Sequence, residues 1–179
     1  MKSFLELAAA RQSDRVYEPG RVIEREVLGR ILEAGRLAPS ACNGQPWHFT
    51  VVAEPALLVE VGKATSSLGM NKFVKDASAL VLITLEPTNI TSKLGCGIKD
   101  KDFPMMDLGI ASAYITLAAE DEGVGSCILG WFDEKKIKEL VGIPQKKRLM
   151  LIISLGYNTK PKRRKIRKEF DKVVSFEKY

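Results

Sequence analysis

Three nearly uninterrupted apolar runs, Phe49–Ala53, Ala79–Leu85 and Leu149–Leu155, constrain the fold of this chain more than any other feature. A strand with one wet face alternates apolar and polar residues, so runs this continuous suggest strands covered on both faces. The covering layers can be read between them. Glu24 to Leu37 carries Val27, Leu28, Ile31 and Leu32 at helical spacing, and helical patterns recur at Pro55–Ser66, Met106–Glu122 and Asp133–Val141. Helices flanking a central sheet imply a layered α/β or α+β domain.

Several helix ends are marked locally. Ser3 and Glu6 have capping-box spacing, which predicts a helix from Phe4 toward Arg11. Asp133 is a cap, and Gly142 and Pro144 close the helix that it starts. The longest helix, ended by Gly123, carries Gly109, Ala111, Ser112, Ala113, Ala118 and Ala119, small residues that allow another helix to approach closely.

With 179 residues the chain fits one domain with a genuine core. No apolar run approaches the roughly 20 residues of a membrane helix, and Ser3, Glu6 and Arg11 interrupt any signal-peptide core. A cytoplasmic address is expected. Cys42, Cys96 and Cys127 read as free thiols, and one histidine, His48, without a Cys-x-x-Cys argues against a zinc site. The net charge of +6 is local: Lys160 to Lys168 carries seven positive charges, and removing them leaves −1 for the rest.

Two short segments carry the chemistry. In Arg11-Gln12-Ser13-Asp14-Arg15, residues at i, i+2 and i+4 share a side if the backbone is extended, so Arg11, Ser13 and Arg15 could converge on one anionic ligand. The alternative is a solvated loop. In Pro39-Ser40-Ala41-Cys42-Asn43-Gly44-Gln45-Pro46-Trp47, two prolines restrict a turn rich in short hydrogen-bonding groups. Such a turn suits a flat, amide-rich ligand, or it anchors the following strand, with Trp47 either in the core or in a site.

Together these segments resemble the nitroreductase family of flavin enzymes, which begins with Arg-x-Ser-x-Arg/Lys and continues with Pro-Ser-x-x-Asn-x-Gln-Pro-Trp. The resemblance implies an α+β, three-layer fold with a central mixed sheet flanked by helices, in an intertwined homodimer. One FMN per subunit would lie at the interface. Arg11, Ser13 and Arg15 would touch its phosphate, ribityl chain and polar edge, where a cation stabilises the charge of the reduced flavin. Pro39, Ser40 and Ala41 would pack against the flavin held mainly by the other subunit, with Asn43 and Gln45 in the same turn. Asn71 would reach the flavin, or else cap a helix. Leu129 and Gly130, after a glycine-rich turn and short strand, would bring backbone close to the ring.

The basic run from Lys160 could be a nucleic-acid arm, a solvated tail or, as the resemblance implies, the rest of the phosphate site through Arg164 and Arg167. No nucleic-acid or membrane partner is expected. Residues 160–179 form an extension whose Phe170, Val173, Val174 and Phe176 suggest docking on the partner subunit. Thr88 to Phe103, with Cys96, is short for a substrate lid, which leaves the substrate class open.

The implied activity takes hydride from NADH or NADPH to flavin N5, and then to a nitroaromatic, quinone or similar acceptor in a ping-pong cycle. Alternatives are another flavin chemistry, dehalogenation or ring dehydrogenation, or a binding module acting through the tail.

Overall fold

The computed structural model describes residues 3–66, 69–87 and 101–179. Cys96 and most of the short lid segment lie outside these residues. In chain order the elements are α1 (Phe4–Ala10), α2 (Arg25–Arg36), β1 (Trp47–Val52), α3 (Pro55–Thr65), β2 (Ala79–Leu85), α4 (Phe103–Asp121), β3 (Gly125–Leu129), α5 (Glu134–Val141) and β4 (Arg148–Gly156). Single 3-10 turns span Ala41–Asn43, Lys72–Asp76 and Phe170–Lys172.

The strands form one sheet in the order β1-β2-β4-β3. The expected mixed sheet is corrected here: all three strand pairs run antiparallel, and the parallel pairing seen among the described residues is an isolated bridge between Ser13 and Ser126. Continuous apolar runs report coverage of both faces for β2 and most of β4, whereas the edge strand β1 is only half-buried from Phe49 to Val51; the runs carry no information on strand direction.

Coverage follows the two-residue period of β2. Ala79, Val81 and Ile83 point into a core with Ile31 of α2 and Leu108, Ala111 and Ile115 of α4. Leu80 and Leu82 point into a second core with Val61 of α3, Ile137 of α5 and Val74 of the Lys72–Asp76 turn. The sheet is thus the middle of three layers. Trp47 packs in the first core, stacked on Phe49 with centroids 6.3 Å apart.

Helix ends follow the local signals. Ser3 and Glu6 exchange both capping-box hydrogen bonds, Asp133 caps α5, and Gly142 takes the left-handed conformation after it at φ 72°. The small residues of α4 do not share one face. Ala111, Ser112 and Ala119 are buried, whereas Gly109 and Ala113 face outward. Close approach of α2 and α4 comes instead from Gly35, where an added Cβ would lie 2.5 Å from Ile115 Cγ1.

The segment after α1 is stitched to the sheet rather than looping freely. Asp14 N donates to Ser126 O at 2.9 Å, Glu18 N donates to Tyr157 O at 2.8 Å, and Tyr17 is bridged to Asn158. The Tyr17 hydroxyl donates toward Asp14 O at 3.0 Å and lies 2.9 Å from Ser154 Oγ; burial pushes its pKa up, so the phenol stays protonated. Its ring lies against Gly156, where an added Cβ would sit 2.8 Å from ring carbons. Gly156→Ala is therefore expected to destabilise the protein by about 1–3 kcal/mol through overpacking. Urea denaturation checks this, and an unchanged midpoint would contradict it.

Candidate functional site

Extended backbone after α1 sends Arg11, Ser13 and Arg15 into one cleft of about 370 Å³. The opposite wall is the C-terminal tail, residues 163–167, which includes Arg164 and Arg167. Five of the expected site residues thus meet across more than 150 positions of sequence. Gln12, Arg163, Lys165 and Ile166 complete the lining. Sequence reasoning passed over Gln12 and singled out neither Arg163 nor Lys165, since nothing local ranks one basic residue of the run above another.

The charge balance of this cleft is unusual for the molecule. Arg21, Arg30, Arg36 and Arg148 each sit on a glutamate. By contrast, among the described residues no carboxylate lies within ion-pair distance of Arg11, Arg15, Arg163, Arg164 or Arg167. Arg163 donates to Ser13 O at 2.9 Å, and Lys165 Nζ donates to Ala8 O near the end of α1. These bonds fix the tail on its own chain. Uncompensated guanidinium groups around an open cleft are a strong attraction for a multiply charged anion, and their planar forks suit a phosphate.

Beneath the cleft, the thiol of Cys127 on β3 is buried and lies 3.8 Å from Ile128 O. Burial pushes that thiol up, while Arg15 and the Ser13 hydroxyl pull it down; the net shift is upward, so the thiol is neutral near pH 7.

The proline-bounded turn lies elsewhere in the chain. Ser40 Oγ accepts from Gln45 N at 3.0 Å, Gln45 Nε2 donates to Asn43 Oδ1 at 3.1 Å, and Ala41 N donates to both Asp107 oxygens at 3.1 and 3.2 Å. Pro39, Asn43 and Gln45 are exposed. Cys42, Asn43 and Gln45 all have positive φ, 51°, 52° and 44°, a costly sequence for non-glycine residues. Gln45 and Trp47 line a separate groove with Leu32 and Arg36. Within one chain, then, the turn and the arginine cleft do not share a cavity.

Leu129 ends β3 in the core, and Gly130 is exposed with open space over its Cα. Asn71 has a third role beside the two expected for it. Its side chain makes no cap for the 3-10 turn that follows; Nδ2 donates to Trp131 O at 2.9 Å and to Thr65 O at 3.2 Å. It thereby clips the loop next to Gly130.

Comparison with known proteins places the chain in a family. The nitroreductase family model matches residues 8–69 and 65–157. The chain belongs to the nitroreductase family. A relative from Archaeoglobus fulgidus, provisionally named NADH dehydrogenase/NAD(P)H nitroreductase, is 35% identical over 88% of this chain and 86% of its own. An oxygen-insensitive NADPH nitroreductase from Helicobacter acinonychis is 26% identical over 96% and 95%. An FMN-dependent nitroreductase from Clostridium difficile superposes with a TM-score of 0.79 at 27% identity, covering 98% of this chain and 100% of that one. A family protein from Streptococcus pneumoniae, at 22% identity and a TM-score of 0.82 over 98% and 100%, shows the same fold.

Among the described residues, no helix is long and apolar enough to cross a membrane, and no three His, Cys, Asp or Glu side chains gather as a metal site would need. Asn71→Ala removes two backbone contacts and places alanine at φ 53°, so a loss of about 1–3 kcal/mol is expected. Thermal denaturation against the parent protein checks it; equal stability would show that the clip contributes nothing.

Proposed function

We propose that the protein is a homodimeric FMN-dependent NAD(P)H oxidoreductase of the nitroreductase type. The observation that carries this reading is the cleft in which Arg11, Arg15 and Arg164 face open space with no carboxylate partner among the described residues. The relatives' NAD(P)H nitroreductase names and the FMN dependence stated for the Clostridium difficile structure support it.

FMN, when bound, supplies the redox chemistry, taking electrons from NADH or NADPH and passing them to a nitroaromatic, quinone or similar acceptor in a ping-pong cycle. The chain's own residues hold and orient it. Arg11, Arg15, Arg164 and Arg167 bind the phosphate, and Ser13 contributes a hydroxyl. A guanidinium of the N-terminal segment also stabilises negative charge at the polar edge of the ring. Pro39, Ser40 and Ala41, with Asn43 and Gln45, belong to the turn that a partner subunit brings to the ring. Leu129 and Gly130 bring backbone close to the ring, and Asn71 fixes that loop. No general acid or base is required of the protein, because alignment does the catalytic work.

The surface supports a dimer. On α4, Met106, Ile110 and Tyr114 are 53%, 37% and 41% exposed and recur every four residues with Ala113 beside them. In the tail, Phe170, Val173 and Phe176 are 68%, 62% and 74% exposed, too apolar to be left wet without a purpose. We assign residues 170–179 to docking on the partner, while residues 162–165 stay bound to their own chain.

Protein purified from its host is expected to be yellow, to bleach under NADH or NADPH without oxygen, and to run in light scattering at about twice the chain mass of 19.8 kDa. A colourless monomer that takes up no added FMN would contradict the proposal. Arg15→Gln and Arg164→Gln are each expected to lower FMN affinity by about tenfold or more, the scale of a charge-assisted hydrogen bond. Equilibrium dialysis with FMN reads it, and unchanged retention in both variants would remove these arginines from the site.

A further inference from the structure

Alternation along the extended segment separates Arg11, Ser13 and Arg15 from Asp14 between them. Asp14 is 2% exposed, does not line the arginine cleft, and its Oδ2 has no hydrogen bond among the described residues. Across from it, Glu120 near the end of α4 is also buried, at 7% exposure. Two buried carboxylates behind a ring of arginines need a cation to offset them.

Lys162 supplies it. Its Nζ lies 2.5 Å from Glu120 Oε2 and 3.8 Å from Asp14 Oδ2. Gln12 extends the same junction: Nε2 donates to Asp14 Oδ1 at 2.7 Å, and Oε1 accepts from Arg163 N at 3.0 Å. Lys162 itself does not line the cleft. The chain reaches the cleft wall at the very next residue.

We propose that Lys162 is a positioning residue, a latch that ties the basic tail to Asp14 and Glu120 so that Arg163 and Arg164 face the anion held by Arg11 and Arg15. The proposal rests on the flavin-phosphate reading of the cleft. Without the ammonium, the tail loses its anchor to Asp14 and Glu120.

The test titrates apoprotein with FMN and with riboflavin, which lacks the phosphate, following quenching of flavin fluorescence. Wild type, Lys162→Met and Lys162→Arg are compared. The wild type is expected to prefer FMN, and Lys162→Met to lose about tenfold or more of FMN affinity, the scale by which outer partners of metal-binding side chains change metal affinity, with riboflavin binding unchanged. Lys162→Arg, which keeps the charge, restores the preference. A Lys162→Met protein with the wild-type FMN-to-riboflavin ratio overturns the latch and leaves the flavin site standing; so does equal weakening of both flavins, which marks a merely structural lysine. A wild type that binds both flavins equally overturns the phosphate reading, and the latch with it.

Discussion

The short strip from Arg11 to Tyr17, held extended along the free edge of β3, is the constraint on which the rest depends. Its backbone bonds to Ser126 and Tyr157 fix the alternation of its side chains. Without them, Arg11 and Arg15 would be two mobile surface cations with no common direction. With them, both guanidinium groups face one cleft, and Asp14 is turned into the protein, where it meets Lys162. The strip also covers a sheet edge that would otherwise offer unpaired backbone groups.

The layered core exists to hold that strip and the tail in register. Tyr17 fills the space over Gly156 at the end of β4, and Glu120 hangs from the end of α4. Both depend on a sheet buried on both faces, in which β2 is buried at six successive positions before Leu85. Charge is then arranged by depth: arginines open to the cleft and carboxylates behind them, with the half-exposed Lys162 reaching both carboxylates. Arg21, Arg30, Arg36 and Arg148 sit on glutamates, whereas among the described residues the five arginines of the cleft have no carboxylate within ion-pair distance, which leaves them open to an anionic ligand.

Much of this was legible in the sequence, for physical reasons that differ from element to element. Caps and turns are local, so Ser3, Glu6, Asp133 and Gly142 could be placed from spacing alone. The covered strands were legible because burial on both faces leaves no polar alternation. Strand direction was not, since side-chain pattern is indifferent to it. Arg11, Ser13 and Arg15 were readable as a set through the two-residue period, and Arg164 and Arg167 through the resemblance. Lys162 was hidden: its partners lie 42 and 148 positions away, at distances no local pattern encodes. Asn71 misled for a related reason, because its amide serves a loop 60 residues distant rather than its own helix.

The proline-bounded turn and the arginine cleft belong to one chain but open onto separate cavities, and a two-chain site is what would unite them. A crystal structure of the protein grown with FMN tests this most directly. The account predicts the phosphate among Arg11, Arg15 and Arg164 of one protomer, with the ring against the Pro39–Ala41 turn of its partner. Flavin bound away from those arginines, or a turn that meets no ring in any subunit contact, would contradict it.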